Sequence, residues 1–267
     1  MHERRALWGL IAGVAVERLK KLRQALADPD SGWPRIAAYL RRCAGIYYRK
    51  SWSQCGEDLI LRYLFDLLHI ARPSYIDIGA HHPWYYNNTY LFYRQGACGV
   101  NVEPDPLLHA GLRRWRRRDV NLNIGIGPRE AELDFYVMSA RTLNTFSASE
   151  ARKYVDEHGQ NIVETKRIKV QTFAQTVDTH MGSTPDLVSL DAEGLDLDIL
   201  RSIDFSRYRP HAFCVETISY AKGDGSGVKS TEIHSLMLQN EYRLYADTYI
   251  NSIYVAERSW RSLGTQQ

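Results

Sequence analysis

The stretch Tyr75-Ile76-Asp77-Ile78-Gly79-Ala80 decides the fold. A short apolar run encloses one carboxylate and ends on a glycine and an alanine. Such a run reads as a strand buried on both faces, and glycine at its exit lets a ligand approach the backbone closely. Downstream, a short helical stretch from Thr89 to Gly96 leads to a second run, Gly99–Val102. A basic helix around Leu107–Arg117 and a third strand, Val120–Ile126, come next. Leu133–Val137 and Ile168–Val170 read as further strands, and Leu187–Leu190 followed by a helix over Asp196–Ile203 restores the alternation. Ala212–Val215, a helix over Thr231–Leu238 and the paired runs Tyr242–Tyr245 and Ile250–Val255 complete it. Strands alternating with helices demand a mainly parallel sheet covered on both faces, because parallel neighbours need crossover connections. The last two runs, only a few residues apart, are expected to pair antiparallel at one edge.

Upstream, Leu59, Ile60, Tyr63, Leu64, Leu67 and Leu68 recur at helical spacing, so a helix with one apolar face precedes the first strand. Residues 1–50 read as a separate helical extension, broken over Asp28–Pro34, with residues 51–267 forming the main domain. The apolar stretch Ala6–Val16 is far short of the roughly 20 residues that span a bilayer. Its basic flanks leave two readings: a helix packed on protein, or peripheral contact with anionic lipid.

The chain has 267 residues, 44% of them hydrophobic and 24% charged, which suits one sizeable folded domain and excludes a disordered chain. A net charge of +3 does not by itself call for a nucleic-acid partner. Cys43, Cys55, Cys98 and Cys214 show neither zinc-ribbon nor disulfide spacing, so a reducing, cytoplasmic setting is expected. The run Arg113-Arg114-Trp115-Arg116-Arg117-Arg118 invites a nucleic-acid reading. On a helix, however, consecutive arginines point all round, so a solvated face is expected and no sequence-specific nucleic acid.

In such sheets ligands bind beyond the carboxyl ends of the strands. Asp77 lies inside the first strand, just before its Gly79-Ala80 exit, and Glu103, in Val102-Glu103-Pro104, ends the second. An acid in the second position is placed like the carboxylate that takes both ribose hydroxyls in dinucleotide and S-adenosylmethionine folds, or else it caps its strand. The pyrophosphate-binding G-x-G-x-x-G is missing, since Ala80-His81-His82-Pro83 follows Gly79. A cofactor without a pyrophosphate is favoured.

These residues, in order, resemble the FkbM-type methyltransferase family. Ser53-Gln54-Cys55-Gly56-Glu57-Asp58-Leu59 looks like the S-Q-x-G-E-D-L segment of one branch, and Asp77-Ile78-Gly79-Ala80 like its first cofactor motif. Glu103-Pro104-Asp105-Pro106 is similar to its E-P-x-P, Leu190-Asp191-Ala192-Glu193-Gly194 to its I-D-x-E-G, and Leu143-Asn144-Thr145-Phe146 to a further motif. The likeness covers roughly residues 51–220. It departs at His81-His82-Pro83-Trp84, where the family commonly has Asn and Gly. The resemblance implies a Rossmann-like class I methyltransferase sheet and methyl transfer from S-adenosylmethionine to oxygen, often a sugar or natural-product hydroxyl.

Methyl transfer needs an aligned acceptor oxygen and a group to take its proton. Asp77, Gly79 and Ala80 are expected around the methionine end, Glu103 at the ribose, and Asn123 at the adenine unless it caps a turn. Gln54 and Asp58 reach the cofactor from the preceding helix, although Ser51-x-x-Gln54 also fits a capping box. Asp191 is the favoured base, with the cap of the following helix as its alternative role. His82 is a second candidate base, and Glu216 is placed to orient a hydroxyl. A divalent ion at Asp191 and Glu193 is compatible with the sequence, but no metal site is expected. The expected acceptor is a small molecule or glycan. Rival readings are a methyltransferase for RNA or another macromolecule, and a Rossmann module that binds a partner without catalysis.

Overall fold

The computed structural model describes residues 40, 43–45, 49–192, 194–220 and 227–264. The chain divides into two units, Met1–Lys50 and Ser51–Gln267, and the elements below belong to the second. The expected N-terminal helices and their membrane contact lie almost wholly outside the described residues. Among the described residues no helix is long and apolar enough to cross a membrane.

Helix α1 (Glu57–Leu67) leads into β1 (Tyr75–Ile78), α2 (Tyr90–Arg94), β2 (Gly99–Val102), α3 (Pro106–Trp115) and β3 (Val120–Leu122). Then come β4 (Gly125–Ile126), β5 (Ala131–Met138), α4 (Ala148–His158), β6 (Ile162–Gln171), α5 (Phe173–His180), β7 (Leu187–Leu190) and α6 (Asp196–Ser202). The chain continues with β8 (Ala212–Glu216), β9 (Ile218–Tyr220), β10 (Gly227–Lys229), α7 (Thr231–Gln239), β11 (Tyr242–Asp247), β12 (Asn251–Ala256) and α8 (Glu257–Gly264).

A seven-stranded sheet runs in the order β11-β12-β8-β7-β1-β2-β3. β3, β2, β1, β7 and β8 are parallel, while β12 is antiparallel to both β8 and β11. The predicted antiparallel pair is therefore present, but its second strand inserts beside β8 and its first takes the edge. This is a Rossmann-like sheet, mainly parallel with an antiparallel edge, as the alternation predicts.

Strand alternation builds two cores. Ile76, Ile78, Val100, Val102, Val188 and Leu190 pack with Phe173, Ile199 and Met237 from α5, α6 and α7. Tyr75, Leu187, Ala212 and Ile253 face the other way, onto Leu61, Leu64 and Phe65 of α1 and Phe92 of α2.

The expected third strand over Val120–Ile126 is broken in the structure. β3 stays in the main sheet, and β4 leaves it to pair with β6 in a second, three-stranded sheet of order β4-β6-β5. Asn123 sits at the break and donates to the carbonyls of Glu103 and Pro104, both at 2.9 Å. Those bonds substitute for the ladder that the strand abandons.

The basic run also departs from expectation. Arg116 is completely buried, not solvated, and is the largest fully buried side chain among the described residues. Its Nε bonds Asp119 at 2.8 Å, while its Nη atoms reach Tyr75 Oη at 2.9 Å, Thr89 Oγ1 at 3.0 Å and Asn87 Oδ1 and the Pro83 carbonyl at 3.1 Å. Arg116 caps the helix one turn after the buried Leu112, to whose carbonyl its amide donates at 2.7 Å, so it continues the inward face of α3.

Candidate active site

The strand exits are flush. Register pairs Leu122 with Val102, Val102 with Ile78, Ile78 with Leu190 and Leu190 with Val215. The next residue on each strand therefore forms one row across the sheet: Asn123, Glu103, Gly79, Asp191 and Glu216. Four of these, all but Asn123, line a cavity of about 420 Å³ at that edge. The second sheet supplies Phe135, and the segment between β5 and β6 supplies Leu143, Phe146, Tyr154 and His158. Such a volume lies in the range of about 300–1,000 Å³ typical of small-ligand sites.

Gly79 is required at its place in that row. Its φ is +79°, and a Cβ there would stand 1.8 Å from the carbonyl oxygen of Asp191. The Asp191 amide donates to Ile78 at 3.0 Å, and the amides of Gly79 and Ala80 both turn to the Val102 carbonyl. Replacing Gly79 with Ala is expected to cost on the order of 3–5 kcal/mol through combined strain and collision. A denaturant midpoint unchanged from that of the parent protein would contradict this.

Glu103 is 4% exposed, and each carboxylate oxygen accepts a backbone amide at 2.8 Å, one from His81 and one from Asp105. Burial pushes its pKa up to about 8, against the pull of those two amides. Each oxygen retains a lone pair, so the carboxylate is still able to accept two more bonds.

Asp191 is half-buried, and its Oδ1 is sealed from solvent without a hydrogen-bond partner. Its side chain hydrogen-bonds Glu216. Burial first, then the nearby Asp196, pushes its pKa up to about 7. Two adjacent carboxyls joined by a hydrogen bond share a proton, since two like charges in so dry a place repel. Asp191 does not cap α6. That turn is held by Asp196, whose carboxylate accepts the amides of Ala192 at 2.8 Å and Gly194 at 3.3 Å. Glu193 lies outside the described residues.

The other predicted residues are placed as follows. Gln54 lines the cavity. It is not the partner of a Ser51 capping box, because Ser53 Oγ accepts the amides of Gly56 and Asp58. Asp58 turns back onto the Ser51 and Ser53 hydroxyls and the Trp52 amide, at 2.6–3.0 Å. Asp77 and Ala80 are buried and do not line the cavity. The Asp77 carboxylate accepts from Thr89 Oγ1 at 2.8 Å and Asn87 Nδ2 at 3.0 Å, in the network around Arg116, and burial raises its pKa. Depth along the strand is the reason: Asp77 lies two residues short of the exit row, level with Asn101, Ser189 and Cys214.

His82 also lies off the cavity lining. Its Nδ1 accepts the amides of Tyr85 at 3.1 Å and Trp84 at 3.4 Å, and burial lowers its pKa. His81 does line the cavity, at φ +51°.

Arg141, Tyr86, Tyr154 and His158 belong to the lining and carry no sequence signal of a site. Leu143-Asn144-Thr145-Phe146 was the available clue. Asn144 bridges Asp105 and the Met138 amide, fixing the loop, while Phe146 packs against Phe135 with centroids 4.8 Å apart and the rings tilted by 53°. Among the described residues no group of three His, Cys, Asp or Glu side chains is gathered to hold a metal.

The profile of the methyltransferase FkbM domain matches residues 77–244. No curated protein matches the chain. Among solved structures, the chain is similar to a TehB-like SAM-dependent methyltransferase from Corynebacterium glutamicum, at 10% identity and TM-score 0.39, covering 84% of this chain and 97% of that one. It is also similar to magnesium protoporphyrin IX methyltransferase from Synechocystis with bound SAM, at 10% identity and TM-score 0.36, covering 91% of each chain.

Proposed function

Because the chain belongs to the FkbM methyltransferase family, whose members depend on S-adenosylmethionine, we propose that it methylates a hydroxyl oxygen of a saccharide, free or within a glycan. The carrying observation is the hydrogen-bonded pair Asp191–Glu216 in the same cavity as Glu103. An alcohol is a poor nucleophile near neutral pH and requires a base; a carboxyl pair that gives up its shared proton near pH 7 supplies it.

The residues present suit the cofactor. Glu103 has two acceptor sites left for a vicinal diol, and Val102, Pro104, Ile126 and Phe146 offer apolar surface for a flat ring. The unpartnered Oδ1 of Asp191 and the three cavity carboxylates favour a cationic ligand. When bound, S-adenosylmethionine supplies an electrophilic methyl on a sulfonium. Glu103 fixes the ribose, Gly79 leaves room for the methionine end, and Asn123 holds the segment that carries Glu103. Asp191 takes the hydroxyl proton while Glu216 holds Asp191 in position and stabilises its charge. Asp77 and Asp58 serve by fixing the loops, and His82 by fixing its turn.

Replacing Glu103 with Gln turns one of its two acceptor oxygens into a donor and should weaken S-adenosylmethionine binding about 10- to 100-fold, measured by calorimetric titration. Unchanged affinity would remove Glu103 from this role. The acceptor class is tested by supplying methyl-labelled S-adenosylmethionine with a saccharide panel, with RNA and with protein. Label recovered as a sugar methyl ether supports the reading; label recovered in RNA or protein overturns it.

A further inference from the structure

The loop between β1 and α2 is built more stiffly than a connection needs. Asn87 is 2% exposed and donates to Asp77 and the Ala80 carbonyl, while its own amide donates to Trp52. Asn88 donates to Ser189 Oγ at 3.3 Å and lies 3.6 Å from Cys214 Sγ. His82 holds the amides of Trp84 and Tyr85.

What these anchors present is a pair of aromatic rings. Tyr85 and Tyr86 stack at 3.9 Å between centroids with 27° between planes. Neither is covered, at 51% and 46% exposure. Tyr86 has φ +52°, an unfavourable conformation for a bulky side chain. Unfavourable backbone persists where its surroundings enforce it, and the enforced result here is an exposed ring at the edge of a reaction cavity. Tyr86 lines the cavity that contains Asp191 and Glu216.

We propose that Tyr85 and Tyr86 form the acceptor subsite, a ledge on which one face of a pyranose ring stacks while its hydroxyl is directed towards Asp191. This rests on the saccharide reading above and adds to it a place and a mode of binding. A pyranose has one face rich in C–H groups and a rim of hydroxyls. The ledge matches both, with exposed ring faces and a phenolic edge able to donate and accept. Stacked and anchored tyrosines also lose little side-chain entropy on binding, which suits a ligand that is itself strongly hydrated.

The test uses the full chain saturated with S-adenosylhomocysteine and a panel of methyl pyranosides, read by saturation-transfer NMR. Tyr85→Ala and Tyr86→Gly are compared with the parent protein; glycine at position 86 removes the ring and relieves the positive φ. The expected result is saturation of ring C–H protons on one pyranoside face in the parent. That signal falls by roughly fivefold or more in each variant, with melting temperature and S-adenosylmethionine affinity retained. Equal pyranoside signals in parent and variants would overturn the ledge and leave the saccharide reading standing. Weakened S-adenosylmethionine binding in both variants would assign the rings to the cofactor and overturn it as well. Absence of saturation from every pyranoside in the parent would overturn the saccharide reading and the ledge together.

Discussion

Asp191→Asn is expected to lower methyl transfer at least about a hundredfold, the scale of a positioned general base, while S-adenosylmethionine binds with near-parental affinity. Asparagine keeps the shape and is still able to donate to Glu216, so the loss isolates the charge. Glu216→Gln should reduce the rate by less. The double variant should be little slower than Asp191→Asn alone, because residues that act as one unit are strongly non-additive. The parental rate should rise with pH through about 7, as the proton held by the pair is lost. Stability should move the opposite way. Asp191 and Glu103 have pKa values raised above those of the unfolded chain, so their folded carboxyls bind protons more tightly. The stability this contributes is present at acid pH and is lost as pH rises through about 7 to 8. Asp191→Asn should therefore be more stable than the parent at pH 8, by on the order of 2 kcal/mol or several degrees in melting temperature. Near-parental turnover in the asparagine variant, with a pH profile flat from 6 to 8 in the parent, would remove Asp191 as the base.

Arg116→Met is expected to cost about 3–5 kcal/mol, the largest stability loss in the basic run. The guanidinium is the cation of a buried network: Asp119 also accepts from Tyr75 Oη at 2.8 Å, from the Gly99 amide at 3.0 Å and from Asn101 Nδ2 at 3.0 Å. Without Arg116, two buried carboxylates, Asp119 and Asp77, lose their neutralising partner. The melting temperature should fall by roughly 6–20 °C for a chain of this size. Arg113→Met and Arg117→Met should stay within about 0.5 kcal/mol of the parent, as ordinary surface changes do. Lysine at position 116 should not rescue, since one ammonium is unable to reproduce bonds spread over a planar fork. If all three variants melted alike, the run would be a uniformly solvated surface after all.

Much of this protein was legible in its chain. The alternation of apolar runs with amphipathic stretches sets a parallel sheet, because the two periods are local and each residue carries its own share of the signal. The acids at strand ends were legible for the same reason: Glu103, Asp191 and Glu216 each follow an apolar run, and a polar residue at such an exit stands out.

Three things were decided only by the tertiary structure. Register decided which predicted residues meet. Asp191 and Glu216 are far apart in sequence and become neighbours because Leu190 pairs with Val215, whereas Asp77 lies two residues short of the exit and accepts from Thr89 and Asn87 in the network around Arg116. Partners from distant segments, Tyr75, Asn87 and Thr89 together with Asp119, decided that the charged Arg116 is interior, one turn after the buried Leu112. The second sheet decided the cavity's other wall, through the departure of β4 from the main sheet and the closing of Phe135 and Phe146 over it. The sequence by itself determined most strands of the main sheet, their order along the chain and the acids at their ends, because those depend on neighbours along the chain. Which acids share a proton, which arginine is buried and which rings edge the site depended on contacts between distant segments, and such contacts exist only once strand register and crossovers are set.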